Sequence, residues 1–127
     1  VMCWGRNDVG QLGDGTTTRS ATPVTVMGVD DAAAISSSSY GTCIAGGIGS
    51  VRCWGQGPGI TGSGSTNSTS TPVLIPGLDQ ATSVSFDGHG CALRSTGDAA
   101  CWGSGFSGQL GNGQAAIMPP VDVVSLS

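Results

Sequence analysis

Cys3-Trp4-Gly5 returns as Cys53-Trp54-Gly55 and again as Cys101-Trp102-Gly103. Gly10-Gln11-Leu12-Gly13-Asp14-Gly15 returns as Gly108-Gln109-Leu110-Gly111-Asn112-Gly113, and Pro23-Val24 returns as Pro72-Val73 and Pro120-Val121. Thr42-Cys43-Ile44-Ala45 has its counterpart in Gly90-Cys91-Ala92-Leu93. The landmarks keep one order at a period of about 50 residues, the mark of a chain that buries its core by stacking like units.

Between landmarks, each full unit reads as four short β segments. In the first these are 23–27, 33–37, 41–45 and 50–54; in the second, 72–75, 82–86, 90–94 and 99–102. They are rich in β-branched or small residues and bounded by Gly, Asp, Ser or Pro, which punctuate strands. Blocks of four such strands describe propeller blades. The expectation is an all-β, β-propeller-type repeat with four antiparallel strands per blade. It has two complete blades plus a partial strand at each end (1–4 and 120–124), in units of about 3–52, 53–100 and 101–127.

The cysteines follow the same logic. Cys43 and Cys53 flank the turn Gly46-Gly47-Ile48-Gly49, and Cys91 and Cys101 flank Ser95-Thr96-Gly97-Asp98. A hairpin centred on each turn sets the two cysteines opposite one another, within disulfide range. The alternative is a pair of buried free thiols; zinc favours tighter CxxC clustering. Bonds Cys43–Cys53 and Cys91–Cys101 imply an oxidising compartment. Cys3 is left over, either unpaired or bonded to a cysteine about ten residues upstream, outside residues 1–127.

Composition narrows the class of function. Glycine supplies 23 of 127 residues, 38% are hydrophobic and only 9% are charged. All four basic residues are arginine and all eight acids are aspartate, so strong helix formers are scarce. The net charge of −4 argues against a nucleic-acid partner, which needs clustered Lys and Arg. No run of about 20 apolar residues exists, so no membrane-spanning helix is expected. The first residues lack the basic and apolar regions of a signal peptide.

The Cys-Trp-Gly, Gly-Gln-Leu-Gly-Asp-Gly-Thr, Thr-Pro-Val and Cys-Ala-Leu stretches resemble the regulator of chromosome condensation repeat family, most of all its Cys-Trp-Gly variety common in bacterial secreted and surface proteins. The resemblance implies a seven-bladed propeller in complete members, with face loops used for protein binding. His89 matches the family's usual histidine before the hairpin cysteine, and Gly41 replaces it in the first unit. The second unit departs from the pattern at Gly57–Thr71, a Gly/Ser/Thr-rich stretch expected to be an exposed loop.

No catalytic constellation stands out. His89 is the only histidine, and its repeat position suits a structural hydrogen-bonding role. Asp14, Asp30 and Asp31 lack the calcium-loop pattern, and no P-loop lysine follows the glycines. No cofactor or metal is expected. Trp4, Trp54 and Trp102 recur once per unit, as packing residues do. Asn67-Ser68-Thr69 is an N-glycosylation sequon, with Asn67 the acceptor if it is used. The leading expectation is a non-enzymatic extracellular or cell-surface module that binds a protein partner or further copies of itself. The alternatives are a self-assembling filament or adhesin subunit, an inhibitor of a secreted enzyme, and a guanine nucleotide exchange factor for a small GTPase, the last disfavoured by paired cysteines.

Overall fold

The computed structural model describes residues 1–57 and 67–124. Among these residues ten strands form: β1 (Met2–Gly5), β2 (Ser20–Thr25), β3 (Ala32–Ser37), β4 (Gly41–Gly46), β5 (Val51–Gly55), β6 (Thr69–Leu74), β7 (Ala81–Phe86), β8 (His89–Arg94), β9 (Ala99–Gly103) and β10 (Met118–Asp122). They make a two-stranded sheet β1-β2, a four-stranded sheet β3-β4-β5-β6 and a four-stranded sheet β10-β9-β8-β7, with antiparallel pairing throughout.

Two complete four-stranded blades are thus present, but their phase differs by one strand from the sequence expectation. β2 pairs with β1 and not with β3, so the N-terminal sheet has two strands where one was expected. At the other end the Pro120 strand is no orphan, because β10 pairs with β9. The reason lies in the connections. The short link Val26–Asp31 leaves one sheet for the next, while the long segment Arg6–Arg19 joins two paired strands. Proline offers no help with the phase. Pro23, Pro72 and Pro120 sit in β2, β6 and β10, which lie at sheet edges under either grouping.

The exposed loop expected over Gly57–Thr71 is also corrected in part. Gly57 is buried and Thr69–Thr71 already belong to β6, paired with β5 through Gly55↔Thr69. Asn67 and Ser68 are exposed, and residues 58–66 lie outside the described residues.

The sheets pack through one interface used twice. Between the second and third sheets, Cys43, Ala45, Val51, Cys53, Ile75 and Leu78 meet Ala81, Phe86, Ala92, Ala100 and Trp102. Between the first and second, Val26 and Val29 meet Ile44 and Trp54, with Val1, Cys3 and Ala32 packed alongside. Period-2 alternation makes this work: Cys43 and Ala45 of β4 face one neighbour and Ile44 the other. β4 is accordingly buried along its whole length. Each interface seats a tryptophan against the cysteine-bearing face of the preceding sheet. Trp54 and Trp102 are both fully buried. Removing roughly 150–250 Å² of aromatic surface from water corresponds to about 4–6 kcal/mol apiece.

Glycine makes room for each ring. A Cβ on Gly90 would overlap the Trp102 ring, which lies across the β8–β9 ladder from it. A Cβ on Gly13 would sit 2.6 Å from the Trp54 indole nitrogen, and the φ of +71° there already favours glycine.

Candidate interaction surface

The loop Arg6–Arg19 holds the Gly-Gln-Leu-Gly-Asp-Gly motif and covers one end of the first sheet interface. Trp54 Nε1 donates to the Gln11 carbonyl at 2.9 Å, and the Thr42 hydroxyl donates to the same oxygen at 3.2 Å. The Gln11 side chain ties down its own loop. Its Oε1 accepts from the Val9 N–H at 2.9 Å, and its Nε2 donates to the Ser39 carbonyl at 3.2 Å. Gln109, one motif on, accepts from the Ser107 N–H at 2.8 Å. Leu12 and Leu110 plug the core beneath. The motif is therefore a lid on the packing between sheets, which explains its recurrence.

Asn7 organises this loop and was not singled out from the sequence. It is fully buried. Its Nδ2 donates to the Thr16 and Thr18 carbonyls, both at 3.0 Å, while its Oδ1 accepts from the Leu12 N–H at 2.9 Å. The corresponding positions after the other Cys-Trp-Gly runs are Gly57 and Gly105, so repetition could not flag it. Asn7→Ala is expected to cost about 2–4 kcal/mol, because it strands buried backbone groups. Asn7→Asp should cost as much, since it turns a donor facing two carbonyls into an acceptor. Urea unfolding midpoints measure both; a change below about 0.5 kcal/mol for either would contradict the role.

The loop's surface charges are set by local partners. Arg6 Nε bonds Asp8 at 2.6 Å, which holds the Asp8 carboxyl below the usual carboxylate range. The Asp14 carboxyl is lowered by hydrogen bonds from the Thr16 hydroxyl and N–H. In the third sheet, bonds from the Thr96 hydroxyl and then Arg94 lower Asp98, and Arg94 also reaches Asp122 at 2.7 Å.

The structure places the remaining sequence candidates as follows. Cys43 is bonded to Cys53 and Cys91 to Cys101, each pair directly opposite across a ladder. Cys3 is a free, half-buried thiol. His89 opens β8 opposite Gly103, and its imidazole makes no hydrogen bond among the described residues. Asp14, Asp30 and Asp31 do not converge: Asp31 pairs with Arg52 at 3.3 Å, and no group of three potential metal ligands forms among the described residues. Among the described residues no helix is long and apolar enough to cross a membrane. The three tryptophans divide. Trp54 and Trp102 are packing residues, but Trp4 is 64% exposed.

Beside β1 runs a groove of about 580 Å³. Met2, Cys3 and Trp4 form one wall, Ile35 and Thr42 of the second sheet the other, and Leu12 is also part of the lining. Among the described residues the outer edge of β1 has no strand partner, whereas the equivalent edges of β5 and β9 pair with β4 and β8.

Residues 1–45 match the family model of the regulator of chromosome condensation (RCC1) repeat. No curated protein matches the sequence significantly. Among solved structures, human WBSCR16 is similar with a TM-score of 0.81 and 25% identity, over 96% of this chain and 34% of that one. Prp20p from Saccharomyces cerevisiae, whose binding to Gsp1p and histones has been described, is similar with a TM-score of 0.79 and 19% identity, over 98% of this chain and 34% of its own. Yeast RCC1 (Prp20) bound to Kap60 gives a TM-score of 0.77 and 18% identity, over 98% of this chain and 33% of its own. The chain thus spans about a third of the length of each of these three structures. With four-stranded antiparallel sheets stacked through a repeated interface and a match to the RCC1 repeat at residues 1–45, the fold of this chain is similar to the blades of an RCC1-type β-propeller.

Proposed function

We propose that this chain is a non-enzymatic protein-binding scaffold of the Cys-Trp-Gly variety of the repeat, working outside the cell or on its surface. The observation that carries the reading is the pair of cross-strand disulfides, one in each complete sheet at the same register. Such bonds persist in oxidising compartments. Protein as the class of partner follows from the similar propellers, one of which binds Gsp1p and histones and is also seen bound to Kap60. The net charge of −4 weighs against nucleic acid. A membrane-impermeant amine- or carboxyl-directed cross-linker applied to intact source cells should capture the chain together with a protein. Capture only after lysis, with all five thiols free, would overturn the reading.

A second reading, copies packing head to tail, has one observation in its favour. Trp4 is 64% exposed at one end, and Leu93 is 46% exposed beside the Cys91–Cys101 face at the other. These are the two halves of the interface that the chain uses twice internally. A heterologous contact of this kind propagates unless its rotation closes. Sedimentation of the chain should then show mass growing with concentration, abolished by Trp4→Asp; a monomer at every concentration would remove this reading. The enzyme-inhibitor and nucleotide-exchange alternatives gain no residue from the structure.

A further inference from the structure

We infer that Pro23, Pro72 and Pro120 close the rim of the sheet stack. Each removes the backbone donor through which a second copy of this chain would pair edge to edge with β2, β6 or β10. These three strands end their sheets, and no strand lies beyond them among the described residues. The sheets stack face to face, so stacking leaves such edges uncovered. β6 shows this directly: its sheet is packed on both faces, yet its rim edge has no strand partner. With Thr69, Thr71 and Val73 along it, that edge is otherwise a template for strand addition.

Register fixes which way each backbone group points. The Ile75 N–H donates to the Val51 carbonyl at 2.9 Å, Val26 to Val1 at 3.1 Å and Val123 to Ala99 at 3.0 Å. Backbone groups alternate in direction along a strand, so Val73, Val24 and Val121, two residues earlier, also face inward. They lie opposite Cys53, Cys3 and Cys101. The stapled ladder agrees. Cys53 gives its ladder bonds to Val73, which leaves Cys43 and Cys53 a non-hydrogen-bonded pair, with Cα atoms a narrow 4.1 Å apart.

The residue before each valine turns its nitrogen outward, and in all three strands that residue is proline. An amide there would offer its N–H to an incoming strand, where proline offers only its ring. The ladders of all three rim strands also shift register beside the proline, between Cys3 and Gly5, Cys53 and Gly55, and Met118 and Val121. Such a bulge is a second device that spoils an edge for pairing. β3 and β7, at the opposite edges of their sheets, hold no proline, which ties the residue to the rim. The inference concerns strand edges and rests on neither reading of function above.

The test is made on the Trp4→Asp chain, which removes the head-to-tail contact from the comparison. Pro72→Thr alone, and Pro23→Thr, Pro72→Thr and Pro120→Thr together, restore the donors on a residue that favours strands. Sedimentation velocity over a concentration series is read beside the urea unfolding midpoint. The triple variant is expected to associate at a concentration at least about tenfold below that of its parent. Pro72→Thr should shift in the same direction by less, with its unfolding midpoint unchanged. Leu74→Pro, which removes the neighbouring outward donor at an exposed position, should return the Pro72→Thr chain to the parent's behaviour. If the triple variant does not fold, Pro72→Thr alone decides. A folded variant as monomeric as its parent, or association that Leu74→Pro leaves untouched, would overturn the inference.

Discussion

Trp54→Ala and Trp102→Ala are each expected to destabilise the fold by about 3–5 kcal/mol, whereas Trp4→Ala should change stability by less than about 0.5 kcal/mol. The three residues occupy the same place in the same Cys-Trp-Gly motif, so the difference comes entirely from packing. Trp54 and Trp102 are enclosed between sheets, while Trp4 faces solvent. Trp54 carries one further constraint in its hydrogen bond to the Gln11 carbonyl, which Trp54→Phe removes while keeping an aromatic ring. That substitution should cost about 1 kcal/mol beyond its volume change. Guanidinium unfolding of the variants measures all of these. Equal losses at the three tryptophans would show that Trp4 is buried in solution.

Loss of both disulfides is expected to remove about 5 kcal/mol. Each bond closes a sequence separation of 10 residues. The loop-closure estimate is about 2–3 kcal/mol for one such bond. The sum approaches the low end of the 5–15 kcal/mol typical of a folded domain, so the reduced chain should be largely unfolded at 37 °C. The two bonds should also differ in reactivity. Cys43 and Cys53 are fully enclosed between sheets, while Cys91 is only partly buried on the outer face of the third sheet. Under limiting reductant, Cys91–Cys101 should open first, since exchange needs access to a sulfur. Timed alkylation and mass analysis would show the order, and simultaneous opening would contradict it.

Much of this architecture is written in the spacing. A motif repeating at about 50 residues announces stacked units, and cysteines placed evenly about a turn announce cross-strand bonds, because a hairpin pairs residues equidistant from its centre. The phase of the sheets was not legible. Periodicity says how often a unit recurs but not where it begins, and the link that leaves a sheet, Val26–Asp31, is shorter than the segment Arg6–Arg19 that stays within one. Individual burial was equally hidden: Trp4 reads like Trp54, and only the sheet stack shows which has a neighbour. Asn7 escaped notice because its role depends on the Thr16 and Thr18 carbonyls folding back over it, a loop conformation with no sequence period.

The two four-stranded sheets are each stapled across their middle strands, and Trp102 of one packs against the disulfide face of the other. Non-reducing peptide mapping of residues 1–127, prepared without reductant and alkylated before digestion, tests this arrangement. Linkages Cys43–Cys53 and Cys91–Cys101 are expected, with Cys3 recovered as the alkylated thiol. A bond between the two pairs, such as Cys43–Cys91, or five free thiols in folded material, would contradict it.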